Sequence, residues 1–334
     1  MNRNYALLLL VCLLFAGSSS TMAVNNITVA TIGTRPPQLS GDEDPQEMVD
    51  KMVEFWRGRL AQVLPHHPDL VVLPEACDRP SGLTREEQFK YFRARKDLIW
   101  KYLSGVAKSN NCYIAFGTKR QDQQGDWWNS CVVLDRQGET AGIYDKNFPT
   151  IGEMESGIMP GTEVPIIQCD FGTLACAICF DLNFAELRKR YQEQGPDIIV
   201  FPSMYHGGLV QSSWAYNCRS FFVSSCGFDD LPSEIRDPLG EVVAASTNYF
   251  HYAVATINLD CRLVHLDYNW EKLRAVKKKY GSAVTIRDPG RLGSVLLTSE
   301  HETISADQMI EEFGIELLDD YLARSRNFRQ KKLD

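Results

Sequence analysis

The chain has 334 residues, 44% of them hydrophobic, with 35 Lys and Arg against 43 Asp and Glu and a formal net charge of −8. An apolar fraction of this size at this length supports one large core, and mild acidity with scattered basic residues gives no footing for nucleic acid. The densest basic run, Lys277-Lys278-Lys279, falls in a predicted helix and reads as a solvated face.

At the N-terminus Arg3 precedes the apolar run 6–16, and the small-residue stretch 17–23 follows. This order of charge, apolar run and small residues is that of a secretory signal peptide, and the run is too short for a permanent membrane helix. Residues 1–23 are therefore expected to be a signal peptide, leaving a secreted or periplasmic chain that begins near Val24. An uncleaved anchor is the alternative, and Leu-Leu-Val before Cys12 is a poor lipoprotein signal. No later stretch reaches about 18 consecutive apolar residues, so no stable membrane span is expected in the mature chain. Asn26-Ile27-Thr28 would be a glycosylation acceptor only in a eukaryotic secretory pathway.

Short β-branched runs then predict strands at 27–32, 70–73, 112–117, 131–134, 142–144, 165–169, 174–178, 198–201 and 221–225. A hairpin-like pair surrounds Asp237-Pro-Leu-Gly240 and ends with 253–259. Helical spacing joins Met48, Met52, Phe55, Arg59 and Val63, and again Phe92, Ile99, Leu103 and Val106; 185–194 reads as a further helix. Strands alternating with helices predict an α/β layered domain. Segments 68–75 and 196–203 share a Pro-Asp turn feeding an apolar strand that stops at Pro, as expected for strands covered on both faces. Chemistry in open α/β sheets gathers beyond the carboxyl ends of such strands, where Glu75, Cys179 and the segment 203–206 stand. No internal linker interrupts the core, so 24–279 reads as one domain and the more polar 280–334 as a C-terminal extension.

Outside the leader the cysteines are Cys77, Cys112, Cys131, Cys169, Cys176, Cys179, Cys218, Cys226 and Cys261. Most sit in apolar strand-like runs and are expected to be free buried thiols despite the export signal. Cys176-Ala-Ile-Cys179 resembles a redox or zinc pair, but no second pair with metal spacing exists, so no metal is expected.

Three residues could carry chemistry. Glu75 ends a buried strand, where burial favours the protonated acid and makes a group able to take and return a proton; taken alone such a residue is more often a partly exposed strand-end Glu. Cys179 closes an apolar strand and precedes Phe180-Asp181-Leu182-Asn183 and a helix. A Cys at such an elbow exposes its sulfur while the next N–H can point at a bound carbonyl oxygen, although a Cys in such a strand, taken alone, is more often another buried thiol. Lys146 lies in the turn-rich segment 144–153; beside a Cys and a Glu it would lower the thiol pKa and attract oxyanion charge, and elsewhere it would be a solvated cation.

Leu73-Pro-Glu75, Tyr144-Asp-Lys146 and Cys179-Phe-Asp181, in that order and each at a strand end, resemble the Glu–Lys–Cys signature of the nitrilase superfamily of carbon–nitrogen hydrolases. The resemblance runs from about residue 27 to about 259, with Asp237-Pro-Leu-Gly240 similar to the family's late hairpin. It implies a four-layer αββα sandwich, commonly assembled into dimers or larger homo-oligomers, that acts on a small-molecule amide-type substrate without metal or organic cofactor. It also implies Glu75 as general base, Lys146 as oxyanion stabiliser, Cys179 as nucleophile, Glu153 as a second glutamate beside the lysine, and the Phe180 N–H as part of the oxyanion hole. Tyr205 and His206, beyond a central strand, are candidate pocket residues.

Departures bear on the substrate. Asn183 stands where members often carry Arg, and 214–222 replaces the Arg-Ala-x-Glu-Asn-Gln helix of many members. Nitrilases proper tend to have Glu where this chain has Asp181, which tilts the reading towards amides or N-carbamoyl compounds. Nitrile hydrolysis by the same trio, a Cys–His hydrolase using His206, and an inactive secreted binding protein are the alternatives.

Overall fold

The computed structural model describes residues 24–334; the expected signal peptide, residues 1–23, lies outside them. The first strand shows why the molecule is layered. In β1 (Asn26–Ile32) Ile27 and Val29 enter one buried cluster, Ala30 and Ile32 another. Side chains alternate across a strand, so a run that is apolar at both parities must be covered on both faces. The outer cover begins with α1 (Pro45–Val63), started by Asp44, whose side chain accepts from Gln46 N and Glu47 N. In β2 (Leu70–Val72), Val71 faces this helix while Leu70 and Val72 face inward.

After α2 (Arg85–Arg95) and α3 (Leu98–Asn110) come β3 (Tyr113–Gln121), β4 (Trp127–Leu134) and β5 (Thr140–Asp145). One helical stretch is expected through 92–106, whereas the structure breaks it at Lys96, whose φ is +49°. The break lets Arg95 turn inward to Thr118 Oγ1 at 2.9 Å and to Lys119 O at 2.6 Å. Met52, Trp56, Leu60, Ile99 and Leu103 complete the outer cluster.

The short α4 (Ile151–Glu155) and β6 (Ile158–Met159) lead to the second sheet, built from β7 (Ile167–Cys169), β8 (Gly172–Cys176), β9 (Ile198–Ser203), β10 (Phe221–Cys226), β11 (Glu234–Arg236) and β12 (Val242–Ala245). β8, β9 and β10 run parallel. Their crossovers carry α5 (Ala185–Gln194) and α6 (Leu209–Cys218), because parallel neighbours need a long connection. The predicted strand 174–178 leaves the ladder at Cys176, and its last residues lead directly into the Cys179 elbow.

β13 (Tyr252–Asn258) returns to β1, giving the first sheet the order β13-β1-β2-β3-β4-β5 with β6 beside β4, and the second the order β12-β11-β10-β9-β8-β7. The inner cluster joins Val29, Val72 and Ala115 of the first sheet to Leu174, Val200 and Val223 of the second. It continues to Leu187, Tyr191 and Trp214 on α5 and α6. Helices, sheet, sheet, helices is the expected four-layer αββα sandwich.

A third sheet, β14-β16-β15, follows from β14 (Cys261–His265), β15 (Val284–Arg287) and β16 (Ser294–Ser299), with α7 (Trp270–Tyr280) between β14 and β15 and with α8 (Ala306–Phe313) and α9 (Leu318–Leu333) after β16. Val264, Val276, Val295 and Met309 form its own cluster, while Leu263, Leu296 and Leu318 dock it on the main core. Residue 280 ends α7, inside this unit. No helix among the described residues is long and apolar enough to cross a membrane, and the nine cysteines there are free thiols.

One close approach sets the geometry beyond β2. A Cβ on Gly117 would stand 2.5 Å from Glu75 Cα and 2.7 Å from Pro74 O. Gly117→Ala should therefore displace the Glu75 segment, costing about 1–3 kcal/mol of stability as overpacking does and lowering kcat. Thermal denaturation and steady-state kinetics measure both, and an unchanged Tm with unchanged kcat would contradict the argument.

Candidate active site

Glu75 follows β2 in a segment held from outside. Trp56 Nε1 donates to Cys77 O at 2.7 Å and Tyr91 Oη to Asp78 O at 2.8 Å, both buried. Ala76 has φ +47° and Cys179 φ +48°. L-residues held in that region cost about 1–3 kcal/mol each and persist only where surrounding packing enforces them, typically at functional sites.

Lys146 leaves β5 with its N–H on Asn129 O at 2.8 Å and its side chain 1% exposed. Its Nζ lies 2.9 Å from Glu75 Oε1 and 2.9 Å from Glu153 Oε2. Glu153 is placed by local sequence logic: Thr150 caps α4 and Glu153 reaches back to Thr150 N at 2.9 Å, a capping box. Lys119 Nζ meets Glu153 Oε1 at 2.5 Å, and Asn129 Nδ2 donates to Glu75 Oε1 and to Glu153 Oε1 at 2.7 Å each. The buried cluster thus balances the carboxylates of Glu75 and Glu153 against the ammonium groups of Lys119 and Lys146. Removing one partner would leave an uncompensated buried charge.

The Cys179 elbow is tied to the same place by Asp181. Its Oδ2 accepts from Ile178 N at 2.9 Å and Tyr144 Oη at 2.7 Å, and its Oδ1 from Phe148 N at 2.8 Å. Burial pushes the Asp181 carboxyl up to about 6 against these hydrogen bonds. Glu75 Oε1 is committed to Lys146 and Asn129, whereas Oε2 is buried and accepts no hydrogen bond among the described residues; the carboxylate faces the Cys179 thiol.

Burial works to raise the Glu75 pKa, and the Lys146 and Lys119 charges outweigh it and hold the group below the ordinary carboxylate range. Burial, and then the Glu75 carboxylate, push the Cys179 thiol up to about 12 against Lys146 and the Met204 N–H. Burial opposes the Lys146 charge, but Glu75, Cys179 and Glu153 together keep it firmly protonated. At neutral pH the resting pair is therefore thiol and carboxylate, not thiolate and acid. The sign for reactivity follows: the base is lost only as pH falls through the depressed Glu75 pKa. Alkylation of Cys179 by iodoacetamide should be flat from about pH 5.5 to 7.5 and fall below about pH 4.3, the ordinary Glu value. A rate that instead climbs through the ordinary thiol range near about pH 8.5 without a plateau would show a free thiolate nucleophile.

A cavity of about 450 Å³ opens over this cluster, lined among others by Glu75, Lys146, Cys179, Phe89, Phe92 and Met204. A larger one of about 760 Å³ lies beyond Phe92, around Arg95 and Trp100, and has no cysteine or serine in its lining. The structure brings Glu75, Lys146, Glu153 and Cys179 together. Phe180 follows in a tight turn with its ring against Phe184, so its backbone is the part that remains at the elbow. Tyr205 and His206 do not line the cavity; Met204 does. Tyr205 Oη accepts from Asn183 Nδ2 at 3.1 Å. The His206 ring is committed, Nε2 to Glu234 Oε2 at 3.1 Å and Nδ1 to Gly208 N at 3.0 Å.

Lys119 and Asn129 went unread from the sequence. They are direct cross-strand partners in the β3–β4 register, on the face that Tyr113, Ala115, Cys131 and Val133 turn inward. The signal was a polar residue continuing an inward-facing apolar parity.

A family model described as Carbon-nitrogen hydrolase matches residues 28–264. The omega-amidase NIT2 of Homo sapiens is 24% identical over 227 residues, 63% of this chain and 80% of that protein. Among solved structures, an amidase from Nesterenkonia sp. has TM-score 0.59 at 17% identity, covering 77% of this chain and 99% of its own. Nit3 of Saccharomyces cerevisiae, a member of branch 10 of the nitrilase superfamily, has TM-score 0.58 at 17% identity, covering 80% and 97%.

Proposed function

The chain belongs to the carbon–nitrogen hydrolase family, and from that premise we propose that it hydrolyses the carbon–nitrogen bond of a small linear amide or N-carbamoyl compound through a thioester on Cys179. The observation that carries this reading is the juxtaposition of the Cys179 thiol with a carboxylate whose Oε2 is unengaged, beside a buried lysine. Glu75 takes the thiol proton as sulfur attacks the amide carbon. The oxyanion forms between the Lys146 ammonium and the Phe180 N–H. Collapse breaks the carbon–nitrogen bond, and Glu75 returns its proton to the departing ammonia or amine. Water, deprotonated by Glu75, then cleaves the thioester and the thiol recovers its proton. Glu153 and Lys119 hold Lys146 and balance its charge.

Amides are favoured over nitriles because relatives named omega-amidase and amidase share the family and the fold, and because Asp181, not Glu, follows the Cys-aromatic pair. Intact-mass measurement after mixing with amides, N-carbamoyl amino acids and nitriles tests the reading. An acyl adduct on Cys179 is expected with amides or N-carbamoyl compounds, and turnover that never labels Cys179 under rapid quench would reject it. Export through the 1–23 leader is proposed on the sequence pattern alone. N-terminal sequencing of the extracytoplasmic protein should begin close to Val24, and recovery of only full-length chain in the cytoplasm would overturn it. A homo-oligomer is proposed on the family resemblance.

A further inference from the structure

Arg95 ends α2 beside the break at Lys96 and is 4% exposed. It does not line the cavity that holds Cys179; it borders the larger one, with Asp78 and Thr118. Its guanidinium grips two segments at once. It pairs with the buried carboxylate of Asp78, which stands three positions after Glu75. It also donates to Thr118 Oγ1 at 2.9 Å and to Lys119 O at 2.6 Å, both on β3. The Thr118 hydroxyl closes the ring by donating to Asp78 Oδ2.

Side chains alternate along a strand, so Thr118 faces Arg95 while Lys119 turns its ammonium the other way, to Glu153 Oε1 at 2.5 Å. The Arg95 fork therefore joins the loop that carries Glu75 to the strand that carries Lys119, from the side away from the reacting atoms. That loop is strained, with Ala76 at φ +47°, and such strain persists only where the surroundings enforce it. Its backbone is tied to β3 by Gly117 N on Pro74 O at 3.1 Å and by Cys77 N on Gly117 O at 3.0 Å. Asp78 adds a side-chain anchor. A buried ion pair contributes little stability beyond what well-packed apolar residues of the same volume would give, so stability alone does not account for this one. What a guanidinium adds over an ammonium is a rigid planar fork that fixes the spacing between its acceptors.

We propose that Arg95 is a positioning residue for hydrolysis, holding the Glu75 loop at a set distance from β3 so that the base meets Cys179 while sharing Lys146 with Glu153. This rests on Glu75 and Cys179 acting as base and nucleophile. Arg95 works through those groups and not on the substrate.

The test is steady-state kinetics with thermal denaturation, on an amide that acylates the wild type, for Arg95→Lys, Arg95→Met and the double variant Arg95→Met/Asp78→Asn. Arg95→Lys keeps a counterion for Asp78 and loses the fork, so kcat should fall about tenfold with KM unchanged. Arg95→Met should lower kcat by up to about 100-fold, the scale of a misplacement of about 1 Å, again at constant KM. The double variant no longer buries an unpaired carboxylate, so it should be more stable than Arg95→Met and no more active. A merely structural arginine would leave kcat at the wild-type level in folded protein, or let kcat return together with Tm in the double variant. Either result overturns the proposal, as does wild-type kcat in Arg95→Lys or a loss confined to KM. Should Arg95→Met not fold, Thr118→Val decides it, since it removes only the hydroxyl that bridges Arg95 and Asp78: a several-fold lower kcat is expected, and wild-type kcat overturns the proposal. An acyl-enzyme on Cys179 of the wild type upholds the catalytic reading whatever the variants do. A wild type with neither adduct nor turnover on any amide defeats both.

Discussion

Cys179→Ala is expected to lose amide hydrolysis by about 10⁴-fold or more, because nothing else in the cavity can replace a sulfur nucleophile. The fold should survive, since the change removes one sulfur from a position only partly buried. The backbone supplies a control. With φ at +48°, Cys179→Gly should be equally inactive yet more stable than Cys179→Ala by about 1 kcal/mol, since glycine occupies this region without the Cβ penalty. Activity assays with denaturant titration of both variants measure this. Substantial hydrolysis by purified Cys179→Ala would sink the covalent mechanism. Cys176→Ala, fully buried in β8, should keep activity and lose only packing.

Glu75→Gln keeps size and hydrogen-bonding capacity but cannot accept a proton, so acylation and thioester hydrolysis should each slow by about 100-fold or more. Hydrolysis should suffer more, because water depends on its base more than a thiol does, and acyl-enzyme should then accumulate as added mass on Cys179. Two further effects follow from the cluster. Lys119 and Lys146 would share the single carboxylate of Glu153, so stability should fall. The Cys179 thiol, freed of the Glu75 charge, should titrate lower, and its alkylation should acquire the rising limb of a thiol. Lys146→Ala should cost about 100- to 1000-fold, the usual loss for one oxyanion donor. His206→Ala should cost far less, its ring being held by Glu234 and Gly208. If His206→Ala were dead and Glu75→Gln nearly wild type, a Cys–His mechanism would replace this one.

Much of this protein follows from sequence alone because its signals are local. Apolar residues at both parities of β1, β2 and β3 require a sheet covered on both faces, and the segments ending at Glu75, Lys146 and Cys179 read as strand ends whatever lies around them. The capping pair Thr150 and Glu153 is equally local, since both partners lie within one helical turn. What the tertiary structure decided depends on register and direction between distant segments. Lys119 and Asn129 reach Glu75 and Glu153 because β3 and β4 pair with those residues opposite one another, which no spacing reveals. The break at Lys96 interrupts a helix that periodicity alone would continue, and Arg95 then reaches inward to Thr118. Met204, not Tyr205 or His206, lines the cavity because the chain bends as it leaves β9, where the Tyr205 hydroxyl meets Asn183 and the His206 ring finds Glu234. Arg79 is one more charged loop residue in the sequence; only the packed structure shows that it lines the same cavity as Cys179.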